Sequence, residues 1–377
     1  MLVDYDRIGV VPIVNAQGNS TPLGGSKLSS GVLAAMTEAA QQHVEIDALW
    51  RAAGRTLAQA AGTEDAYPTA GAFAGIAIAV AALVAGTNLT RIQRLPDAGD
   101  APNEVILQKS HAISSSAPIG QMVALGGGRA VEVGSANIAQ RAHLIGAITD
   151  RTAALLYVTS PDHVTAYSAV SLEDTIAVGR EYGIPVIVDA AGEGDLQHWP
   201  STGADLVVFS SQKAFSGPTA GFICGSAALI ESCRAQSAGI ARCMKIGKET
   251  LMGLLQAVAE YASGAFGEGL LLRVETLAER IDAIEGLSAR GIPDDRDDRI
   301  FRVLVTVDPD IFGLDAVSLN EVLRHGQPAI YLRDFKMQAG QLELDPLPLD
   351  ADGERVILRR LTELSSRRPL VECDPVE

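Results

Sequence analysis

The chain has 377 residues, 47% hydrophobic and only 5% aromatic, so its core is built from Ala, Val, Leu and Ile, and its length suggests about two domains. A formal net charge of −16 argues against a nucleic-acid backbone as partner, which needs clustered Lys and Arg. The four cysteines, Cys224, Cys233, Cys243 and Cys373, make no CxxC pair and have no His at metal-ligand spacing, which predicts reduced thiols and no metal site.

Residues 1–7 lack a basic stretch ahead of an apolar core, so no leader is expected. Residues 10–15 read as a short extended piece and 18–26 as a loop. A helix is expected from Ser29-Ser30, with Val32, Leu33 and Met36 on one stripe. Ile46, Leu49, Trp50, Ala53 and Leu57 continue the helical spacing. Residues 1–50 are therefore read as an N-terminal arm and helix. Residues 64–75 lead into an apolar helix running through Ala85, too short for the roughly 20 apolar residues of a membrane span. A cytoplasmic protein is expected. Thr69 to Gly71 form a small-residue turn where that helix starts. Free N–H groups and the helix dipole make such a turn an anion site; a plain Thr N-cap on a buried helix is the other reading.

Strands are expected at 105–108, 130–133 and 153–158, and helices at 113–125, 137–149 and 171–183, the last with Ser171 as N-cap. This alternation predicts right-handed βαβ units and a mostly parallel sheet. His111 sits just past a strand end, where it either faces a bound group or is a polar surface histidine.

The chain is organised around residues 186–225. Val186-Ile187-Val188-Asp189 is a β-branched run that delivers a carboxylate at its end, and residues 204–209 are a second apolar run. Between that run and the next, residues 221–224, lies a lone lysine in Ser210-Ser211-Gln212-Lys213-Ala214-Phe215-Ser216-Gly217-Pro218. Open parallel sheets gather ligand groups at their carboxyl ends. A lysine amine that forms a Schiff base with pyridoxal phosphate, and an acid that pairs with the ring nitrogen, fit this arrangement, with Ser210 near the cofactor phosphate. An ordinary doubly wound domain, with Asp189 as a strand-end cap and Lys213 on a surface loop, fits it as well.

Beyond Gly225 a helix is expected at 227–236. A basic loop follows at 241–249, read as an anion contact or a solvated helix start. Helical spacing then runs from Thr250 to about Leu287 with a break at 264–267. The domain boundary is set at 265/266, giving a large domain over 51–265 and a smaller α+β domain over 266–377. In the latter, strands are expected at 300–307, 329–333 and 341–344, and helices at 314–325 and 352–366, before an irregular tail.

Several stretches resemble one family. They are Val14-Asn15-Ala16-Gln17-Gly18 with Leu23-Gly24-Gly25, Arg94-Leu95-Pro96-Asp97, Asn103 to Ile106, and Val186 to Ala191. The most specific are Gln212-Lys213-Ala214 with Gly217-Pro218, and Met244-Lys245-Ile246-Gly247-Lys248-Glu249. Over residues 10–260 the chain resembles the selenocysteine-synthase-like branch of the pyridoxal-phosphate enzymes, nearest the D-glucosaminate-6-phosphate ammonia lyase relatives. The resemblance implies an α/β chain of the aspartate aminotransferase-like fold type I. It implies pyridoxal 5'-phosphate bound through Lys213, its ring nitrogen on Asp189, its phosphate near Thr69, Gly71, Ala72 and Ser210, and His111 over the ring. Lys245 and Lys248 would contact phosphate or substrate, and the assembly would be a homodimer or larger. Where relatives carry an Arg before the Gly-Pro turn, this chain has Phe215-Ser216, and near the histidine it has Lys109-Ser110-His111; both departures are expected on the substrate side.

The expected activity is that of a lyase eliminating ammonia and a β-substituent from a small amino acid or amino-sugar acid. Lys213 is the general base, and Arg333 is a candidate for the substrate carboxylate because a guanidinium pairs with it through two bonds. A racemase or epimerase, an aminotransferase and an inactive cofactor-binding protein are the alternatives. The acidic charge argues against tRNA-dependent selenium transfer.

Overall fold

The computed structural model describes residues 4–115, 117–159, 168–264, 269–294 and 300–366. Contacts divide the chain into a larger unit, Lys27–Ser263, and a smaller one made of Met1–Ser26 with Gly264–Glu377. The expected arm of residues 1–50 is thus split after Ser26: its first part joins the smaller unit through β1 (Val14–Ala16), and its helices belong to the larger.

The larger unit runs α1 (Ser30–Ala40), α2 (Ile46–Ala61), β2 (Asp65–Thr69), α3 (Ala72–Ala85), α4 (Leu89–Arg94) and β3 (Glu104–Gln108). The short strands β4 (Ser114–Ser115) and β5 (Ala117–Pro118) follow, then α5 (Ile119–Leu125), β6 (Arg129–Val133), α6 (Arg141–Gly146), β7 (Thr152–Val158) and α7 (Leu172–Tyr182). It closes with β8 (Val186–Asp189), α8 (His198–Ser201), β9 (Leu206–Ser210), β10 (Gly221–Gly225), α9 (Ala227–Ala235) and α10 (Lys248–Ala262). Its seven-stranded sheet has the order β2-β10-β9-β8-β7-β3-β6. Strands β3, β8 and β9 are buried along their whole length, as central strands covered on both faces must be, which is why they read as unbroken apolar runs.

Strand β10 is antiparallel to both its neighbours, and the pairs among β9, β8, β7, β3 and β6 are parallel. The reason is length. The link between β9 and β10 covers only residues 211–220, too few for the crossover that a parallel return needs. Strand β2 stands where the sequence predicts only a lead-in to the helix. It contains Pro68, which an edge strand tolerates because its outer N–H has no ladder partner to lose. Helix α3 is buried nearly all round, and Gly75 brings it onto the sheet: a Cβ there would sit 2.6 Å from Val208 Cγ1.

Two expected helices are shorter than their apolar spacing suggested. The 113–125 pattern becomes helical only at Ile119, after the β4–β5 hairpin and Pro118. The 137–149 pattern is helical over Arg141–Gly146, with a capping box between Gln140 and His143.

The smaller unit continues with α11 (Leu270–Asp282), β11 (Leu287–Pro293), β12 (Phe301–Val307), α12 (Pro309–Phe312), α13 (Ala316–Arg324), β13 (Ile330–Leu332), β14 (Gln341–Leu344) and α14 (Ala351–Ser365). Strands β11, β12 and β14 form an antiparallel sheet, and β1 pairs in parallel with β13. The helical spacing expected through Leu287 stops at Asp282. Gly286, at φ +83°, turns the chain into β11 with Phe312 N only 2.4 Å from where its Cβ would be. Residues 265–267 of the expected helix break and the tail beyond 366 lie outside the described residues.

Candidate active site at the carboxyl edge of the sheet

Parallel pairing aims the ends of β3, β7, β8 and β9 at one edge of the sheet, and the reversed β10 starts there. Gly221, its first residue, lies opposite Thr69 on one side and Ser210 on the other. One edge therefore collects Thr69, Ser210, Asp189 and the turn after β3 that carries His111.

Asp189 ends β8 and is 3% exposed. Its Oδ1 accepts from Ala191 N at 3.1 Å, and its carbonyl accepts from Thr159 N at 3.1 Å. His111, in the turn Lys109–His111, is 2% exposed, which settles against a surface histidine. Val158 N donates to His111 Nδ1 at 3.2 Å, so the ring proton must sit on Nε2. Tyr157 meets the ring edge-on with centroids 4.6 Å apart. Burial pushes the His111 pKa down to about 4, and the imidazole is neutral at neutral pH.

Lys213 lies exposed on the turn between β9 and β10. Ser216 N donates to Lys213 O at 3.2 Å, and Gly217 N to Ser211 O at 2.9 Å. Ser216 has φ +48°, the only non-glycine with positive φ among the described residues. A strained residue three positions past the lysine is the kind of backbone that functional turns retain. Phe215 anchors this turn. It is 2% exposed, and its ring lies 5.0 Å from Tyr261, 6.1 Å from Phe209 and 6.5 Å from Phe222. The expectation that Phe215 lies on the substrate side is thereby corrected: it is core.

Beside this turn, Thr69 ends β2 and is not an N-cap. Its Oγ1 donates to Gly71 O at 2.9 Å, and Gly71 occupies the cap position with no side-chain cap bond. Gly71 has φ +152°, open to glycine, with nothing within 4 Å of its missing Cβ. The first N–H groups of the 14-residue α3, from Ala72 on, are thus presented without a competing side chain. Ala70 N donates to Met244 O at 3.2 Å, which brings the middle of the 241–249 basic loop to the same place. Lys245 follows and is exposed. Lys248 opens α10, donates to Ala40 O at 3.0 Å and lies 3.8 Å from Glu249, so it ties α10 to the end of α1. Arg333 belongs to the smaller unit, where its Nε pairs with Glu343 at 3.2 Å and its guanidinium lies over Phe335.

Sequence reading missed Thr159 and Glu193, both at this edge. Glu193 is 4% exposed and its Oε1 lies 2.8 Å from Thr159 Oγ1. An acid four residues past a strand-end Asp was the available signal; Thr159 carried none. Burial pushes the thiols of Cys224 and Cys233 up to about 12, as expected of structural cysteines. Among the described residues no group of three or more His, Cys, Asp or Glu is placed to hold a metal, and no helix is long and apolar enough to cross a membrane.

A family model described as SelA: L-seryl-tRNA selenium transferase matches residues 14–290. A 5'-C-glycyluridine monooxygenase-decarboxylase of a Streptomyces species is 56% identical over 96% of this chain and 92% of its own length. The solved structure of a D-glucosaminate-6-phosphate ammonia-lyase superposes with a TM-score of 0.88 at 39% identity, covering 97% of this chain and 99% of that one. An aspartate aminotransferase of Thermus thermophilus shares the fold, with a TM-score of 0.52 at 22% identity over 96% of this chain and 93% of that one. The fold is the aspartate aminotransferase-like α/β fold expected. The residues present fit pyridoxal phosphate: a buried carboxylate at a strand end, a neutral imidazole, a lysine on the next turn, and an uncapped helix N-terminus beside a glycine with free space.

Proposed function

The chain belongs to the L-seryl-tRNA selenium transferase family of pyridoxal-phosphate-dependent enzymes, and we propose that it is an ammonia lyase acting on an α-amino acid borne on a sugar-derived skeleton. The observation that carries this reading is the gathering of Asp189, the Lys213 turn and the Thr69–Ala72 cradle at one sheet edge. When bound, pyridoxal phosphate supplies an electron sink for the pair left at Cα. The chain's residues do the rest. Lys213 anchors the cofactor, then takes the Cα proton. Asp189, oriented by Ala191 N, holds a proton at the ring nitrogen. His111, neutral and with its proton on Nε2, covers the ring as a donor. Ser210 and the N–H groups from Gly71 and Ala72 hold the phosphate, Thr69 fixes that cradle through its hydroxyl bond to Gly71 O, and Lys245 faces an anionic part of the substrate. Loss of the β-substituent with its proton leaves an enamine, and one water hydrolyses it to a keto acid and ammonia.

The 56% identity to the glycyluridine enzyme favours a second reading, oxidative decarboxylation of a glycyl group carried on a nucleoside. Both named substrates carry an amine beside a carboxylate on a sugar skeleton, so the same anchoring serves either. Product analysis separates them. Ammonia and keto acid without oxygen uptake mark the lyase, and oxygen uptake with carbon dioxide release marks the decarboxylase. Solvent deuterium at Cα with the amine retained would mark a racemase, and a need for a keto-acid acceptor an aminotransferase. We place the enzyme in the cytoplasm as a homodimer or larger; the exposed Tyr5, Ile8, Val10 and Val11 of the N-terminal segment support an assembly.

The anchor is tested by the visible spectrum of wild type beside Lys213→Ala. A yellow wild type whose band disappears on borohydride reduction, with the reduced cofactor on the Lys213 peptide, supports the reading. A colourless wild type that takes up no added pyridoxal phosphate sinks it.

A further inference from the structure

The carboxyl end of β7 places two adjacent residues on two different neighbours. Val158 N donates to His111 Nδ1 at 3.2 Å, and Thr159 N donates to Asp189 O at 3.1 Å. Thr159 Oγ1 lies 2.8 Å from Glu193 Oε1 and 3.2 Å from Asp189 O. A hydroxyl has one proton, and the shorter, charge-assisted contact takes it. Glu193 N in turn donates to Ala190 O at 3.1 Å, so residues 189–193 form a turn held at both ends by Thr159. A carboxylate only 4% exposed is costly to bury unless it accepts hydrogen bonds, and the roles assigned above make no use of it.

We propose that Thr159 and Glu193 are positioning residues for Asp189: the Glu193 carboxylate orients the Thr159 hydroxyl, and Thr159 fixes the depth at which β8 presents the Asp189 carboxylate. The pair spans neighbouring strands, because Val158 is in register with Asp189. Neither residue is assigned a cofactor contact in the reading above; both act through Asp189. The inference rests on Asp189 being the partner of the ring nitrogen.

The test uses purified holoenzyme variants Thr159→Val, Thr159→Ser, Glu193→Gln and Asp189→Asn. It reads pyridoxal-phosphate affinity and the position of the bound cofactor's visible band, which a purely structural role would not move. The loss of one hydrogen bond to a charged group predicts about tenfold weaker binding in Thr159→Val and Glu193→Gln. Both should displace the band in the direction of Asp189→Asn, and Thr159→Ser should restore affinity and band. If Thr159→Val does not fold, Glu193→Gln, nearly isosteric, and the Thr159→Ser rescue carry the test. Wild-type affinity and band in Glu193→Gln, or a Thr159→Ser variant as impaired as Thr159→Val, would overturn the proposal while an altered Asp189→Asn leaves the site reading standing. An Asp189→Asn variant indistinguishable from wild type would overturn the site reading itself.

Discussion

Replacing Gly221 by Ala tests the geometry of the proposed phosphate cradle most directly. A Cβ on Gly221 would sit 2.5 Å from Phe209 O, 2.9 Å from Gly71 C and 3.1 Å from Ala72 N. Ordinary contact begins near 3.4 Å, so the worst pair is about 0.9 Å too close, and all three atoms are backbone that no rotamer change can clear. Either β9 or the start of α3 must move. Overpacking of this kind costs about 1–3 kcal/mol, and the loss of a strand glycine returns roughly 0.5–1 kcal/mol. The net cost of about 1–2 kcal/mol should lower the melting temperature by about 1–3 °C. Because two of the three atoms belong to the cradle, most of the displacement is felt by the phosphate, and affinity for pyridoxal phosphate should fall roughly tenfold. Calorimetric melting with and without cofactor, together with titration of the visible band, measures both. A Gly221→Ala protein with wild-type affinity and melting temperature would refute the claim that β10 and the α3 N-terminus approach this closely.

Burial holds the His111 pKa near 4, below its unfolded value near 6.5, so the unfolded chain takes up the proton first as pH falls. This group's contribution, about 3 kcal/mol, is full above about pH 6.5 and is lost toward pH 4; between about pH 7.5 and 4.5 wild type should lose more unfolding free energy than His111→Gln. Truncating Phe215 to Ala should cost about 3–5 kcal/mol in denaturant unfolding through loss of its ring cluster, and wild-type stability in that variant would contradict its place in the core. In the smaller unit Arg302 is buried between Asp294 and Asp345; Arg302→Ala leaves two buried acids without it and should cost about 3–5 kcal/mol, whereas a surface arginine would cost almost nothing.

Much of the candidate site was legible because its residues are local in the chain. Val186 to Asp189 announces a buried strand with an acid at its end, and Lys213 between two apolar runs announces a lysine at the same edge. Ser29 and Ser171 cap their helices as read, their side chains accepting from Val32 N and Asp174 N. What the chain could not disclose depends on pairing between distant segments. The sidedness of Phe215 follows from Phe209, Phe222 and Tyr261 meeting it. The role of Thr69 follows from β2 lying beside β10, and strand β2 itself escaped notice because Pro68 is acceptable only at an edge that sequence does not reveal. Thr159 and Glu193 are unremarkable 34 residues apart and become a unit only when β7 and β8 come into register. Residue type and spacing thus placed the acid and the lysine at strand ends, and the family resemblance pointed to the chemistry. Tertiary structure decided which polar groups are buried together, because burial and long-range hydrogen bonds exist only once the sheet has formed.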